Sequence, residues 1–191
     1  MHRIALFASG SGSNAERIAR YFADRSDVEV SLIASNNPKA GVIDRARKLH
    51  VPVLLFDRHT FYETEHIVRL LQRQQIDLIV LAGFMWLVPP PLVRAFEGKI
   101  VNIHPALLPK YGGKGMYGHF VHEAVVAAGE RESGITIHYV NEQYDEGDVI
   151  FQAACPVQPG DTPDDVARRV QVLEHQHYPE VVDRLLQNSP I

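Results

Sequence analysis

The chain has 191 residues, of which 46% are apolar and 22% charged, so it is long enough for one large domain with a buried core. Its net charge of −4 and the lack of a basic run argue against nucleic acid as a partner. No apolar run approaches the ~20 residues of a membrane-spanning helix, and a single cysteine, Cys155, excludes an intramolecular disulfide. We therefore expect a cytoplasmic protein that does not bind membranes.

The first predicted unit is a strand over residues 4–8, a loop of serines and glycines, and a helix that begins near Ala15. Such a loop suits a phosphate, because glycine lets the backbone approach closely and the helix N-terminus offers unpaired N–H groups. Gly10-x-Gly12-x-x-Ala15 also fits the first half of a dinucleotide fingerprint. However, the next predicted strand, residues 28–35, is followed by Asn36-Asn37, where a ribose-binding acid is expected. We expect a mononucleotide or sugar phosphate here, with a simple tight turn as the alternative.

The following residues predict a helix over 41–49, a short buried strand over 53–56, a helix over 62–75 and an all-apolar strand over 78–82. The last strand runs into Gly83-Phe84-Met85-Trp86-Leu87, followed by three prolines. Such a loop is too apolar to be a simple surface turn. It either forms the wall of a pocket for a flat ring or fills the core beneath a proline bend, and the sequence leaves both interpretations open.

The predicted active site is centred on residues 100–105, Ile-Val-Asn-Ile-His-Pro. Asn102 and His104 share parity on a β-branched strand, so both side chains point to one side. Pro105 then ends the strand because it has no N–H for the ladder. Ligands in open α/β sheets bind at the carboxyl ends of the strands, so this placement predicts an active site. The structural alternative is a turn cap at Asn102 and a core histidine at His104.

The remaining residues predict a glycine-rich loop over 112–118, a helix, two strands and a last helix that starts at Asp161-Thr162-Pro163. His119 and His122 lie one turn apart on the first of these helices, but a third ligand at suitable spacing is lacking, so we expect no metal. Residues 135–140 alternate and predict a half-buried, antiparallel strand. The whole pattern predicts an α/β fold, namely a Rossmann-like, mostly parallel twisted sheet with helices on both faces and an antiparallel extension near the C-terminal part.

Two motifs, Asn102-x-His104-Pro105-x-Leu107-Leu108-Pro109 and Tyr144-Asp145-Glu146-Gly147, resemble those of the folate-dependent formyltransferase family. The loop Gly10-Ser11-Gly12-Ser13-Asn14 and the chain length point to members of purine biosynthesis. The resemblance implies transfer of a formyl group from the cosubstrate 10-formyltetrahydrofolate to the amine of glycinamide ribonucleotide, without a metal. It implies one domain over 1–191, with a phosphate-binding Rossmann-like half over 1–100 and a catalytic, folate-binding half over 101–191.

The resemblance also implies three sets of site residues. The catalytic set is Asn102, His104 and Asp145. The residues that contact the phosphate or the rest of the ribonucleotide are Gly12, Ser13, Asn14, Gly83 and Glu174. The residues that contact folate are Met85, Trp86, Leu87, Val88, Asn141, Glu142, Gln143 and Tyr144. His138 either supports this network or is simply satisfied within the sheet, and the second interpretation is preferred.

The chemistry of these side chains fits the implied reaction. An amine that attacks a formyl carbon creates an oxyanion, to which the Asn102 amide and a protonated His104 can donate hydrogen bonds. Asp145 can orient the imidazole and raise its pKa, because an opposite charge favours the protonated ring. The carboxylate can also help to remove a proton from the attacking amine, through water. Neither a metal nor a covalent enzyme intermediate is required.

Two positions and one loop depart from the family pattern. Trp86 and His59 stand where family members often carry arginine near the folate, and the 112–118 loop is longer and richer in glycine than usual. We expect a monomer or a homodimer with small-molecule substrates. The alternatives are a 10-formyltetrahydrofolate hydrolase of the same superfamily, which normally has an additional amino-terminal domain, and a non-enzymatic nucleotide-binding α/β module. A third option, a tRNA-directed formyltransferase, would need an additional carboxyl-terminal nucleic-acid domain and a basic face, and the sequence shows neither.

Overall fold

Seven strands form one sheet in the computed structural model, which describes residues 1–188. The strands are His2–Phe7 (β1), Val28–Ser35 (β2), Val53–Leu55 (β3), Leu78–Leu81 (β4), Ile100–His104 (β5), Glu132–Tyr139 (β6) and Val149–Pro156 (β7). Their order in the sheet is β3-β2-β1-β4-β5-β6-β7. The first five strands pair in parallel, whereas β6 and β7 are antiparallel to their neighbours. The predicted fold class is confirmed.

Helices cover both faces of this sheet. They are Ser13–Tyr21 (α1), Val42–Lys48 (α2), Arg58–Tyr62 (α3), His66–Arg73 (α4), Pro90–Ala95 (α5), His119–Ala127 (α6) and Pro163–Asn188 (α7). Helices α1, α2, α6 and α7 share a core with Val101 and Ile103 of β5, while α3, α4 and α5 share one with Ile100. Because both faces are buried, the central strands are apolar on both sides. No helix within residues 1–188 is long and apolar enough to cross a membrane.

The register between β5 and β6 positions the polar residues of the central motif. Asn102 lies opposite His138, and His104 lies opposite Thr136. Residues that face each other across an antiparallel pair point to the same side of the sheet. Asn102 and His104 of β5 and Thr136 and His138 of β6 therefore share one face of the sheet, next to the carboxyl end of β5.

The helix predicted over 62–75 begins four residues later than expected, as α4 at His66, and Tyr62 instead ends the separate short helix α3. Asp57 caps α3 by accepting a hydrogen bond from the backbone N–H of Thr60 (2.8 Å). The Thr64 hydroxyl then donates to the carbonyl oxygen of Thr60 (2.8 Å) and accepts from the N–H of His66 (3.3 Å). These side-chain bonds stabilise a turn at the junction, so α4 begins as a separate helix.

Two predictions of strand burial were also wrong. The strand predicted as buried over 53–56 is the edge strand β3, in which Val53 is 37% and Leu55 49% exposed. The strand predicted as half-buried over 135–140 belongs to β6, which is buried on both faces from Ser133 to His138. It lies between β5 and β7, and α7 packs against it. Alternation in the sequence therefore reflects two different buried environments, one apolar and one polar.

Candidate active site

Four polar side chains meet at the carboxyl end of β5. Asn102 and His104 extend from β5, His138 extends from β6, and Asp145 lies in the loop after β6. One carboxylate oxygen of Asp145 is 3.4 Å from Nδ1 of His104, and the other is 3.6 Å from Nε2 of His138. Nδ2 of Asn102 is 3.2 Å from the same Nε2. A single carboxylate thus bridges two buried imidazoles, and an amide lies beside them.

A backbone carbonyl determines which ring nitrogen of His138 carries a hydrogen. Its Nδ1 lies 2.8 Å from the carbonyl oxygen of Tyr139, which can only accept, so Nδ1 carries the proton. In the neutral ring Nε2 is then an acceptor, and it receives a hydrogen from the amide of Asn102. An amide nitrogen carries two hydrogens, so the second hydrogen of Asn102 stays available for a ligand oxygen. The ring of His138 therefore orients the amide of Asn102, and its part in any reaction stays a prediction.

The loop after β5 is bonded to the same cluster. Nε2 of His104 donates to the carbonyl oxygen of Tyr111 (2.7 Å), and Asp145 accepts from the N–H of Gly113 (2.9 Å). Tyr111 and Asp145 both have left-handed backbones, with φ of 57° and 56°. That conformation costs about 1–2 kcal/mol for a residue with a Cβ, and such strain concentrates at functional sites. The start of the 112–118 loop is therefore held by the residues predicted to do the chemistry.

Burial decides the direction of the pKa shift of His104 but not that of Asp145. Burial lowers the pKa of His104, while Asp145 and the Tyr111 carbonyl act in the opposite direction. The expected influence of Asp145 is present, but it does not outweigh desolvation. For Asp145 itself, burial opposes ionisation. The neighbouring His138 ring, the charge of His104 and the N–H of Gly113 together hold the pKa of the carboxyl below its usual range. The carboxylate is thus ionised at neutral pH.

The cluster opens into a cavity of about 610 Å³, a size typical of small-molecule sites. Asn102, His104, His138 and Asp145 all line it. Helices α6 and α7 also contribute to its walls, as do the 112–118 loop and the segment after β4. Lys114 is the only lysine or arginine among the lining residues of the described chain. No group of three or more potential metal ligands occurs within residues 1–188.

One end of the cavity is polar. Nδ2 of Asn14, at the start of α1, donates to Glu174 of α7 (2.9 Å), and both residues line the cavity. Burial raises the pKa of Glu174, and the hydrogen bond from Asn14 opposes the shift. Oδ1 of Asn14 is buried without a partner among the described residues. Gly12 precedes α1 with φ of 77°, and Arg45 supports the loop by donating to the carbonyl oxygen of Ser11 (2.8 Å).

Another part of the lining is apolar and aromatic. Residues 83–88 line the cavity, and Ser9 holds this segment by accepting a hydrogen bond from the N–H of Met85 (2.9 Å). Phe84 and Trp86 also pack against the core beneath α3, so the segment fits both interpretations left open by the sequence. The guanidinium carbon of Arg58 lies 5.0 Å from the centre of a Trp86 ring. A cation is therefore present beside Trp86, although His59 is exposed and paired with Glu63.

The arrangement matches a known family. Residues 2–182 match the family model described as Formyl transferase. The chain belongs to the formyl transferase family. A chloroplastic phosphoribosylglycinamide formyltransferase of Arabidopsis thaliana is 42% identical over 186 residues, which cover 94% of this chain and 64% of that relative. The phosphoribosylglycinamide formyltransferase of Bacillus subtilis is 37% identical over 191 residues, which cover 97% of this chain and 95% of that relative.

Solved structures agree with this assignment. Phosphoribosylglycinamide formyltransferase from Anaplasma phagocytophilum has a TM-score of 0.88 at 36% identity, covering 98% of this chain and 88% of that one. The enzyme of the same name from Bacillus halodurans has a TM-score of 0.87 at 38% identity, covering 98% and 97%. The chain spans only 64% and 60% of the lengths of the two chloroplastic relatives, from Arabidopsis thaliana and Vigna unguiculata.

The structure brings most of the predicted site residues to one cavity. Those that line it are Asn14, Gly83, Met85, Trp86, Leu87, Val88, Asn102, His104, His138, Gln143, Tyr144, Asp145 and Glu174. Gly12 and Ser13 adjoin Asn14 but do not line the cavity. Asn141 and Glu142 do not line it either, since Asn141 accepts from the N–H of Gln143 (2.9 Å) and Glu142 pairs with Arg94 (3.2 Å). The individual roles, and the division of the domain at residue 100, stay predictions.

Four residues in or next to the cavity were not predicted from the sequence as part of the site. His122, Lys114 and Gln171 line the cavity. Thr136 lies behind it: its hydroxyl donates to the carbonyl oxygen of Ala106 (2.7 Å) and accepts from the N–H of Leu108 (2.9 Å). Thr136 has the same parity as His138 on β6, and that parity was the one available signal. The other three lie on helices and a loop whose orientation depends on tertiary packing.

Proposed function

We propose that this chain transfers the formyl group of 10-formyltetrahydrofolate to the amine of glycinamide ribonucleotide, as expected for de novo purine biosynthesis. The products are formylglycinamide ribonucleotide and tetrahydrofolate. The proposal rests on the convergence of Asn102, His104 and Asp145 in one cavity that has both a polar and an aromatic part. The names of the relatives support the choice of substrates.

Two hydrogen-bond donors are available for the oxygen that becomes negative. The amine nitrogen attacks the formyl carbon, and the carbonyl oxygen gains charge. Asn102 donates its second amide hydrogen to that oxygen, because its first is held by His138. His104 donates from Nε2, the nitrogen that faces away from Asp145, once the carbonyl of Tyr111 is displaced by the ligand. Donors fixed in advance of the reaction stabilise the oxyanion strongly.

The proton balance assigns a role to Asp145. A bond forms between the amine nitrogen and the formyl carbon, and the bond from that carbon to N10 of the folate breaks. The amine loses one proton and N10 gains one, so no proton is released overall. Asp145 is ionised and accepts the proton of the amine through water. His104 passes the hydrogen of Nε2 to the leaving nitrogen and receives one at Nδ1 from Asp145, so the ring ends neutral and the carboxylate ionised, as both began.

The residues present fit the folate substrate. Residues 84–88 offer an apolar wall for a flat ring, and Trp86 offers an aromatic face. Asn14 and Glu174 suit the hydroxyl-rich ribonucleotide, since both are polar and largely buried. Lys114 adds a positive charge for an anionic substrate.

We further propose a cytoplasmic location, small-molecule partners only, and a monomer or homodimer.

One experiment tests the reaction against its alternatives. Purified protein is incubated with 10-formyltetrahydrofolate, with and without glycinamide ribonucleotide, and tetrahydrofolate and formate are measured. Tetrahydrofolate that forms only with the ribonucleotide supports the transferase. Formate release without the ribonucleotide would indicate the hydrolase, and binding of the ribonucleotide without turnover would indicate a nucleotide-binding module.

A further inference from the structure

His122 is a buried histidine that the proposed mechanism does not use. It lies in the first turn of α6, is only 6% exposed, and lines the same cavity as His104 and Glu174. Its neighbour Val121 faces the apolar core shared with α7. The helix therefore directs one residue into the core and the next towards the cavity.

The ring of His122 is incompletely satisfied. Its Nδ1 is shielded from solvent and has no hydrogen-bond partner among residues 1–188. Leaving a buried polar atom unpaired is unfavourable, so native proteins retain few of them, and those retained call for an explanation. An imidazole that gains its partner only when a ligand is bound supplies one. Burial lowers the pKa of His122, and His119 and His104 act in the same direction, which keeps the ring neutral.

The location of His122 indicates which part of the substrate it meets. Glu174 lies on α7, where the ribonucleotide is proposed to bind, and His104 marks the reacting end of the cavity. Helix α6 packs against α7, and His122 is close enough to His104 for the charge of one ring to affect the other. In glycinamide ribonucleotide the segment between ribose and amine is a neutral amide with one donor and one acceptor.

We propose that His122 is a binding residue that forms a hydrogen bond with the amide of the glycinamide segment and so positions the attacking amine. This inference rests on the proposed function and extends it. A neutral ring suits a neutral amide, because a charged imidazolium there would be poorly solvated and close to His104. His119 is not equivalent, since it is about half exposed and lies near Glu123 and Asp164.

A matched pair of variants tests the proposal. His122→Asn keeps a polar group near the position of Nδ1, whereas His122→Leu has a similar size and no polar group. The Leu variant should raise KM and Kd for the ribonucleotide by about 3- to 10-fold relative to the Asn variant, the effect of one neutral hydrogen bond. KM for the folate should be the same in both. The KM for folate reports general damage to the cavity, so an effect confined to the ribonucleotide reflects the lost polar group.

The controls separate the possible outcomes. His177→Leu removes an imidazole that packs against Phe151 outside the cavity lining, and it should leave ribonucleotide binding unchanged. Equal ribonucleotide constants for the two His122 variants, or equal rises in both substrate constants, would overturn the assignment of His122. A wild-type protein without ribonucleotide-dependent formyl transfer would instead overturn the proposed function.

Discussion

Nε2 of His104 lies 2.7 Å from the backbone carbonyl oxygen of Tyr111, so the central imidazole is bonded to the loop that follows its own strand. On its other side, Nδ1 faces Asp145 at 3.4 Å, and Asp145 holds Gly113 of the same loop. The position of the loop and the protonation of the ring are thus linked through shared hydrogen bonds. A ligand that takes Nε2 from Tyr111 also removes one anchor of the loop.

The first prediction concerns His104. In His104→Ala the oxyanion loses one donor, and kcat should fall by about 10²–10³ or more. Binding of the ribonucleotide should change little, because Asn14 and Glu174 form a separate contact. Steady-state kinetics give kcat, and calorimetry gives Kd for the ribonucleotide without folate. Turnover near the wild-type value would remove His104 from the chemistry.

A second prediction concerns the buried hydroxyl of Thr136. In Thr136→Val the shape is kept, but the carbonyl oxygen of Ala106 and the N–H of Leu108 lose their partner. The free energy of unfolding should fall by about 1–3 kcal/mol, as expected for unpaired buried groups. Urea denaturation measures the change. Thr136→Ser keeps the hydroxyl and should lose less, so an equal loss in both variants would contradict the hydrogen-bond explanation.

Much of the central motif could be predicted from its sequence. Asn102 and His104 share parity, and Pro105 ends the strand. Local rules therefore predict a polar pair at the carboxyl end of this strand. Val28–Ser35 likewise forms a strand with the predicted bounds. Apolar and polar residues alternate over its first half, and the apolar run Leu32-Ile33-Ala34 follows, and both patterns are typical of a strand.

Other parts of the site depend on contacts that no local pattern contains. Alternation over residues 135–140 predicts a strand but not its register, and it is the register that places His138 opposite Asn102. Asn14 and Glu174 are 160 positions apart, so only tertiary packing brings them together. His122 resembles any helical histidine until the cavity is known. The family resemblance implied a contact between Glu174 and the ribonucleotide, and we drew no role for His122 from it.

A third prediction concerns the glycine before α1. A Cβ at Gly12 would lie 2.3 Å from Cγ2 and 2.8 Å from the backbone Cα of Val42, and φ is 77°, so Gly12→Ala must displace the loop. We expect a lower Tm and a higher KM for the ribonucleotide, with KM for folate unchanged. In Gly10→Ala the new Cβ meets nothing within 4 Å, so Tm should stay at the wild-type value. If the KM for folate changes and the KM for the ribonucleotide does not, the loop does not hold the ribonucleotide.

The fourth prediction concerns the pH dependence of stability. Burial holds the pKa of Glu174 above its ordinary value in the folded protein, even though Asn14 donates to it. The folded state therefore binds this proton more tightly than the unfolded state. The contribution of the Glu174 carboxyl to stability is fully present below its ordinary pKa, about 4.3. This contribution is lost as the pH rises through the higher pKa of the folded protein.

Glu174→Gln removes this titration while its amide oxygen can still accept from Asn14. Relative to wild type, the Tm of the variant should therefore rise as the pH is increased from about 4 to 8. Thermal unfolding across this range measures the difference between the two curves. Glu180→Gln, on the same helix but with a side chain that is 56% exposed, serves as the control and should give a curve parallel to wild type. If the Glu174→Gln curve is also parallel, the carboxyl of Glu174 titrates alike in the folded and unfolded states, and its burial carries no electrostatic penalty.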